Sequence, residues 1–159
     1  MAQTDLMISS ARGSAFAYRI LSENHMQTVA KMKAGGLIRV EDIELAFPLI
    51  MTLSFACEIY LKILILKRNL TYNREYDLFS LFNILDEDAK TKIVTNYKEN
   101  AGNDAEFLQK LQENKDVFKK WRYYYEIDLT NEPSGFYVVD TPFLDMLLAA
   151  LEKTYLETK

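Results

Sequence analysis

Pro48-Leu49-Ile50-Met51-Thr52-Leu53-Ser54-Phe55-Ala56-Cys57-Glu58-Ile59-Tyr60-Leu61-Lys62-Ile63-Leu64-Ile65-Leu66 is an almost continuous apolar run, broken only by polar groups spaced four apart at Ser54, Glu58 and Lys62. In a helix this spacing puts all three on one stripe and leaves the other faces oily. A helix apolar nearly all round is normally buried. The stripe is therefore either its one wet face or a polar seam inside the protein. The run is long enough to cross a bilayer, but Glu58 and Lys62 would then sit near mid-membrane, at a cost of about 2.5–3.5 kcal/mol for the lysine. A core helix, with no membrane partner, is the expectation.

Outward from this run the chain reads as helices. Residues 5–33 carry Leu6, Ile8, Phe16, Ala17, Ile20, Leu21, Met26 and Val29 at three- and four-residue spacing until Gly35-Gly36 stops the pattern. This is a first long helix, loosened near Gly13. The second begins near Glu41, with Pro48 as a kink or in its true first turn, and ends around Asn69. Asp77 is the expected N-cap of Leu78–Leu85. Residues 87–98 form a more polar helix, and Asn100, Gly102 and Asn103 end it. Phe107, Leu111, Val117, Phe118, Trp121, Tyr124 and Tyr125 define a fourth long pattern interrupted at Asn114. Residues 127–140 read as a long loop with an extended piece at Phe136–Val139. Thr141 as N-cap and Pro142 in first place open a last helix through Leu151. The fold expectation is all-α: a single domain over residues 1–159, built as a four- to five-helix up-and-down bundle.

Composition agrees. Across 159 residues, 49% are hydrophobic and 26% charged, with only five Gly and three Pro, the balance of a mainly helical soluble protein. A net charge of −4 gives no overall pull toward nucleic acid, so RNA binding would need a local basic patch. Lys67 with Arg68, and Lys115, Lys119, Lys120 and Arg122, are the short patches present. The single Cys57 suits a reducing compartment, and Met1-Ala2-Gln3-Thr4-Asp5 lacks the layout of a secretory signal, so a cytoplasmic location is expected. One His, one Cys and no clustered carboxylates give no recognisable metal site, and no cofactor is implied.

Two clusters could carry chemistry. Glu58 and Lys62 form the favoured Glu-before-Lys pair, which an exposed helix face would solvate. If another helix covers the stripe, Glu58 needs a cation, and Arg122 in Trp121-Arg122-Tyr123-Tyr124-Tyr125-Glu126 is the best-placed candidate. Arg122 and Glu126 are also one turn apart. A local salt bridge on an aromatic-rich helix is one reading of this cluster. The other is a binding cleft for RNA or a nucleotide, with Glu58, Lys62, Arg122, Tyr123, Tyr125 and Glu126 as its residues, Arg122 on phosphate and a tyrosine on a base.

The blocks Ser54-Phe55-Ala56-Cys57-Glu58-Ile59-Tyr60-Leu61-Lys62-Ile63-Leu64, Tyr76-Asp77-Leu78-Phe79-Ser80-Leu81-Phe82 and Phe118-Lys119-Lys120-Trp121-Arg122-Tyr123-Tyr124-Tyr125-Glu126 resemble, over about residues 45–155, the HEPN superfamily of prokaryotic helical domains. The resemblance implies a helical bundle, commonly dimeric, among RNA-cleaving toxins, defence effectors or inert partners of nucleotidyltransferases. The family's ribonuclease motif is an Arg with a His a few residues later. Arg122 aligns with that Arg, but Ile127, Asp128 and Leu129 stand where the His would fall, so the usual catalytic pair is missing. Arg19 and His25, six positions apart in the first helix, repeat the bare spacing, with imidazole as acid/base and guanidinium on phosphoryl charge.

The leading functional expectation is a binding or regulatory domain in a prokaryotic defence or toxin–antitoxin system, with an antitoxin or nucleotidyltransferase as partner. A metal-independent endoribonuclease and a structural helical adaptor are the alternatives. A homodimer is expected because Phe136–Val139 and Phe143–Leu151 add apolar faces beyond one core stripe.

Overall fold

The computed structural model describes residues 3–34, 44–73, 77–122 and 139–158, and all regular structure among them is helical. Four long helices, α1 (Gln3–Lys33), α2 (Ala46–Lys67), α4 (Glu87–Ala101) and α7 (Thr141–Glu157), are joined by three short ones, α3 (Leu78–Ile84), α5 (Phe107–Glu113) and α6 (Val117–Arg122). The expected extended piece at 136–138 lies outside the described residues.

The apolar run becomes α2, and α2 is the hub. It packs against α1, α3, α6 and α7, while α4 lies on α7 and α3 on α5. Twelve of its residues are buried, Leu53, Ala56, Cys57, Leu61, Ile63 and Ile65 completely. By length and composition α2 could cross a bilayer, yet two-thirds of its most apolar 18-residue stretch is buried within its own chain. Pro48 sits in its first turn, where the missing N–H removes no intrahelical bond. At its other end Asn69 adopts the left-handed conformation (φ 55°), and the N–H groups of Leu70 and Asn69 donate to the carbonyls of Ile65 (3.1 Å) and Leu66 (3.0 Å). This is a Schellman stop with Asn in the usual glycine place.

Capping places the remaining elements. Asp77 accepts from Ser80 N at 2.8 Å and starts α3, as the sequence suggests. Asp86 accepts from Ala89 N at 2.8 Å and starts α4, and Arg68 at the end of α2 reaches both Asp86 (3.0 Å) and Asp88 (2.6 Å), tying the two helix ends together. Gly102, at φ 77°, closes α4 in a conformation where a side chain would be strained.

Asn114 breaks the fourth pattern into two short helices. Buried in the turn, it donates from Nδ2 to Lys110 O (2.9 Å) and accepts from Asp140 N (3.1 Å) through Oδ1, so it pins that turn to the start of α7. The cap of α7 is one residue earlier than expected: Asp140, not Thr141, accepts from Phe143 N (2.9 Å), and Pro142 follows Thr141 inside the first turn. A carboxylate at the residue before Thr141 takes the capping role and leaves Thr141 helical.

Phe82, Tyr97, Phe107 and Phe143, from four different helices, form one aromatic knot with ring centroids 4.9–6.0 Å apart. The apolar residues of α7 that suggested a dimer, Phe143, Leu144, Leu147, Leu148 and Leu151, are buried within the chain against α2 and α4. These residues therefore do not form the outer apolar face that suggested a dimer.

Candidate functional site

The polar stripe of α2 is a seam inside the fold, and the solvated reading of it is corrected. Ser54 is fully buried and donates to Ile50 O at 2.8 Å, the usual way a helical serine satisfies itself without a partner helix. Glu58 and Lys62 meet at 2.5 Å with 16% and 10% of their side chains exposed. The Lys62 ammonium also lies 5.4 Å from the Tyr72 ring centroid. The pair is largely enclosed, and each side chain meets the other's charge. Glu58 thus pairs with Lys62 and not with Arg122.

Arg122 is exposed at the end of α6, in a basic last turn with Lys119 and Lys120. Its helix is held by aromatic contacts to α2: Phe118 on Phe55 at 5.1 Å and Trp121 edge-on to Phe47 at 5.4 Å. Tyr123, Tyr125 and Glu126 lie outside the described residues. Arg19 and His25 do not converge. Six residues at about 100° each leave them about 120° apart around α1, and Arg19 is committed to an ion pair with Glu152 of α7. The half-buried His25 has its Nδ1 enclosed without a hydrogen-bond partner among the described residues.

A different polar seam, invisible in the sequence, joins α1, α2 and α7. Glu152 takes the Arg19 ion pair and also accepts from the Tyr60 hydroxyl at 3.3 Å. Burial and the adjacent Glu152 carboxylate push the Tyr60 phenol up to about 12. Burial, then a hydrogen bond to Asp145, raises Tyr18 as well, and burial raises the fully enclosed Cys57 thiol. All three stay protonated near neutral pH, so none is a ready nucleophile or base. The Tyr155 ring lies between the Tyr60 ring (5.8 Å) and the Lys67 ammonium (4.7 Å). Beside it an open cleft of about 680 Å³ is lined by Ile8, Ser9, Arg12, Phe16 and Tyr155, among others. Arg12 makes no ion pair among the described residues. The cleft offers one guanidinium, the Asp5 carboxylate, the hydroxyls of Ser9 and Tyr155, and two aromatic faces.

The water-facing side of α1 is the least ordinary surface. Ala11, Ala15 and Tyr18 are buried on its inner side, while Leu6, Phe16 and Ile20 are 55%, 64% and 45% exposed on the opposite one, and Met26 is exposed on a flank. On this outer face Gly13 costs about 1 kcal/mol against alanine in mid-helix. Nothing among the described residues asks for it, since a Cβ there would meet none of their atoms within 4 Å. The expected loosening is absent, because α1 runs unbroken through Gly13. The signal lay in the phase of Leu6, Phe16 and Ile20 relative to Ala11, Ala15 and Tyr18, but which stripe faces the core is decided only with α2 in place.

No cluster of three or more His, Cys, Asp or Glu residues with the geometry to hold a metal occurs among the described residues. Comparisons of the chain with family models, curated proteins and solved structures give no match.

Proposed function

We propose that this chain is a helical binding and regulatory module of the HEPN kind its sequence blocks resemble, cytoplasmic, in a defence or toxin–antitoxin setting, acting through protein contact rather than catalysis. The observation that carries the reading is the outer face of α1, where large apolar side chains meet water on the side opposite the core. Support also comes from what the described titratable groups do: the buried tyrosines and cysteine are held protonated, and Arg19 is already engaged by Glu152.

The test is cysteine labelling in the source cell, using the buried Cys57 as a silent background. Ser9→Cys on the outer face of α1 should be protected from a maleimide in cells and reactive in dilute purified protein. Leu108→Cys, at an exposed site on α5, should label equally in both. Equal labelling of Ser9→Cys in both conditions overturns the reading.

A second reading, RNA or nucleotide binding, is favoured by one arrangement: Arg12 for phosphate beside Phe16 and Tyr155 for a base. It predicts that a fluorescent oligonucleotide binds wild type and not Arg12→Ala. No binding by the wild type removes it.

A further inference from the structure

The outer face of α1 carries a pattern that is complementary to itself when reversed. Arg12, Phe16, Ile20 and Glu23 follow one another along this side of the helix, so charges of opposite sign flank two exposed apolar residues. Arg12 and Glu23 make no ion pair among the described residues. Arg19, between them, is already neutralised by Glu152 of its own chain. Gly13, Phe16, Ala17 and Ile20 stand at i, i+3, i+4 and i+7, the four corners of a hole that accepts one side chain from a facing helix. The absent side chain of Gly13 and the small one of Ala17 make that hole deep, and this gives the costly mid-helix glycine a reason that the described residues of the monomer do not supply.

Resting on the reading of this face as a protein-contact surface, we propose that its occupant is a second copy of the chain, with the two α1 helices antiparallel about a two-fold axis near Tyr18. In that register residue i faces residue 36 − i of the partner copy. Each Ile20 enters the hole of the other helix and meets Phe16, and each Arg12, level with Asn24 of the other copy, lies one position along from its Glu23, on the same side of the pair. Every contact occurs twice, as an isologous interface requires. A parallel pairing would set Arg12 against Arg12 and Glu23 against Glu23, so charge selects the antiparallel arrangement.

Sedimentation equilibrium on the full chain tests this. Wild type should show a species of twice 18.5 kDa at tens of micromolar. Ile20→Glu should raise the dissociation constant by about two orders of magnitude, and Gly13→Leu, which fills the hole on an exposed helix surface, by at least about tenfold. Arg12→Glu and Glu23→Arg should each weaken the dimer by about tenfold, and the double reversal Arg12→Glu/Glu23→Arg should restore it, a result no merely structural role of either residue would produce. A circular-dichroism spectrum matching wild type certifies the fold of each variant. A monomeric wild type, a dimer indifferent to these changes, or a double reversal no better than either single one overturns the proposal. Protection of Ser9→Cys in cells with a monomeric purified protein would sink self-pairing alone and leave the contact-surface reading in place. Loss of both would sink the two together.

Discussion

Glu58 and Lys62 hold each other one helical turn apart at 2.5 Å, on the most buried of the described long helices, with only a small part of either side chain exposed. A covered pair of this kind behaves differently from a surface one. Removing one partner leaves the other charge stranded, whereas replacing both with apolar groups of similar size relieves two desolvation costs at once. Glu58→Ala should therefore lower the unfolding free energy by about 3 kcal/mol, and Glu58→Leu/Lys62→Met should stay within about 1 kcal/mol of wild type. Urea unfolding of the three proteins measures this. Small, additive effects would mark the pair as solvated.

The cap of α7 gives a second, local check. Asp140 accepts from Phe143 N, and its own N–H is held by Asn114. Asp140→Ala should cost about 1 kcal/mol, while Thr141→Ala should change stability by less than about 0.5 kcal/mol. The reverse order would move the cap back to Thr141.

Tyr60 links alkaline stability to the seam between α2 and α7. Its folded-state pKa, about 12, lies above the ordinary phenol value of about 10. The protonated form is thus favoured by the fold, and the stability it confers is complete below about pH 10 and lost as pH rises toward the folded value. Phenolate absorbance should show a group of late-titrating tyrosines, Tyr18, Tyr60 and Tyr97, smaller by one in Tyr60→Phe. Glu152→Gln should lower the Tyr60 pKa without returning it to normal, because burial is the larger cause.

Activity is the fourth expectation. Incubated with RNA without added metal, wild type, Arg19→Ala and His25→Ala should be indistinguishable, since Arg19 is engaged by Glu152 and His25 lies on a different side of α1. Cleavage abolished by His25→Ala in a folded protein would promote the endoribonuclease reading over the binding module.

Much of the local architecture was legible in the residues. The oily run became the central helix, Asp77 capped α3, Gly102 ended α4 and Asn114 broke the fourth pattern. Each of these is settled within a few residues by periodicity, capping chemistry or backbone conformation, and these act before any tertiary contact forms. Which of two oily stripes turns inward is not settled that way. The apolar residues of α7 that suggested an outer face are swallowed by α2 and α4, while Leu6, Phe16 and Ile20 of α1, equally apolar on paper, are left in water. Partner choice for charges is likewise non-local. Glu58 took the nearby Lys62 rather than the distant Arg122, and Glu152 gathered Arg19 and Tyr60 from two other helices. The sequence by itself determined the helices and several of their ends, though the start of α7 lies one residue before the expected cap. Only the packing of α1 and α7 around α2 decided which polar groups are sealed in pairs and which surface remains for another molecule, because burial and the desolvation that comes with it are properties of the whole fold.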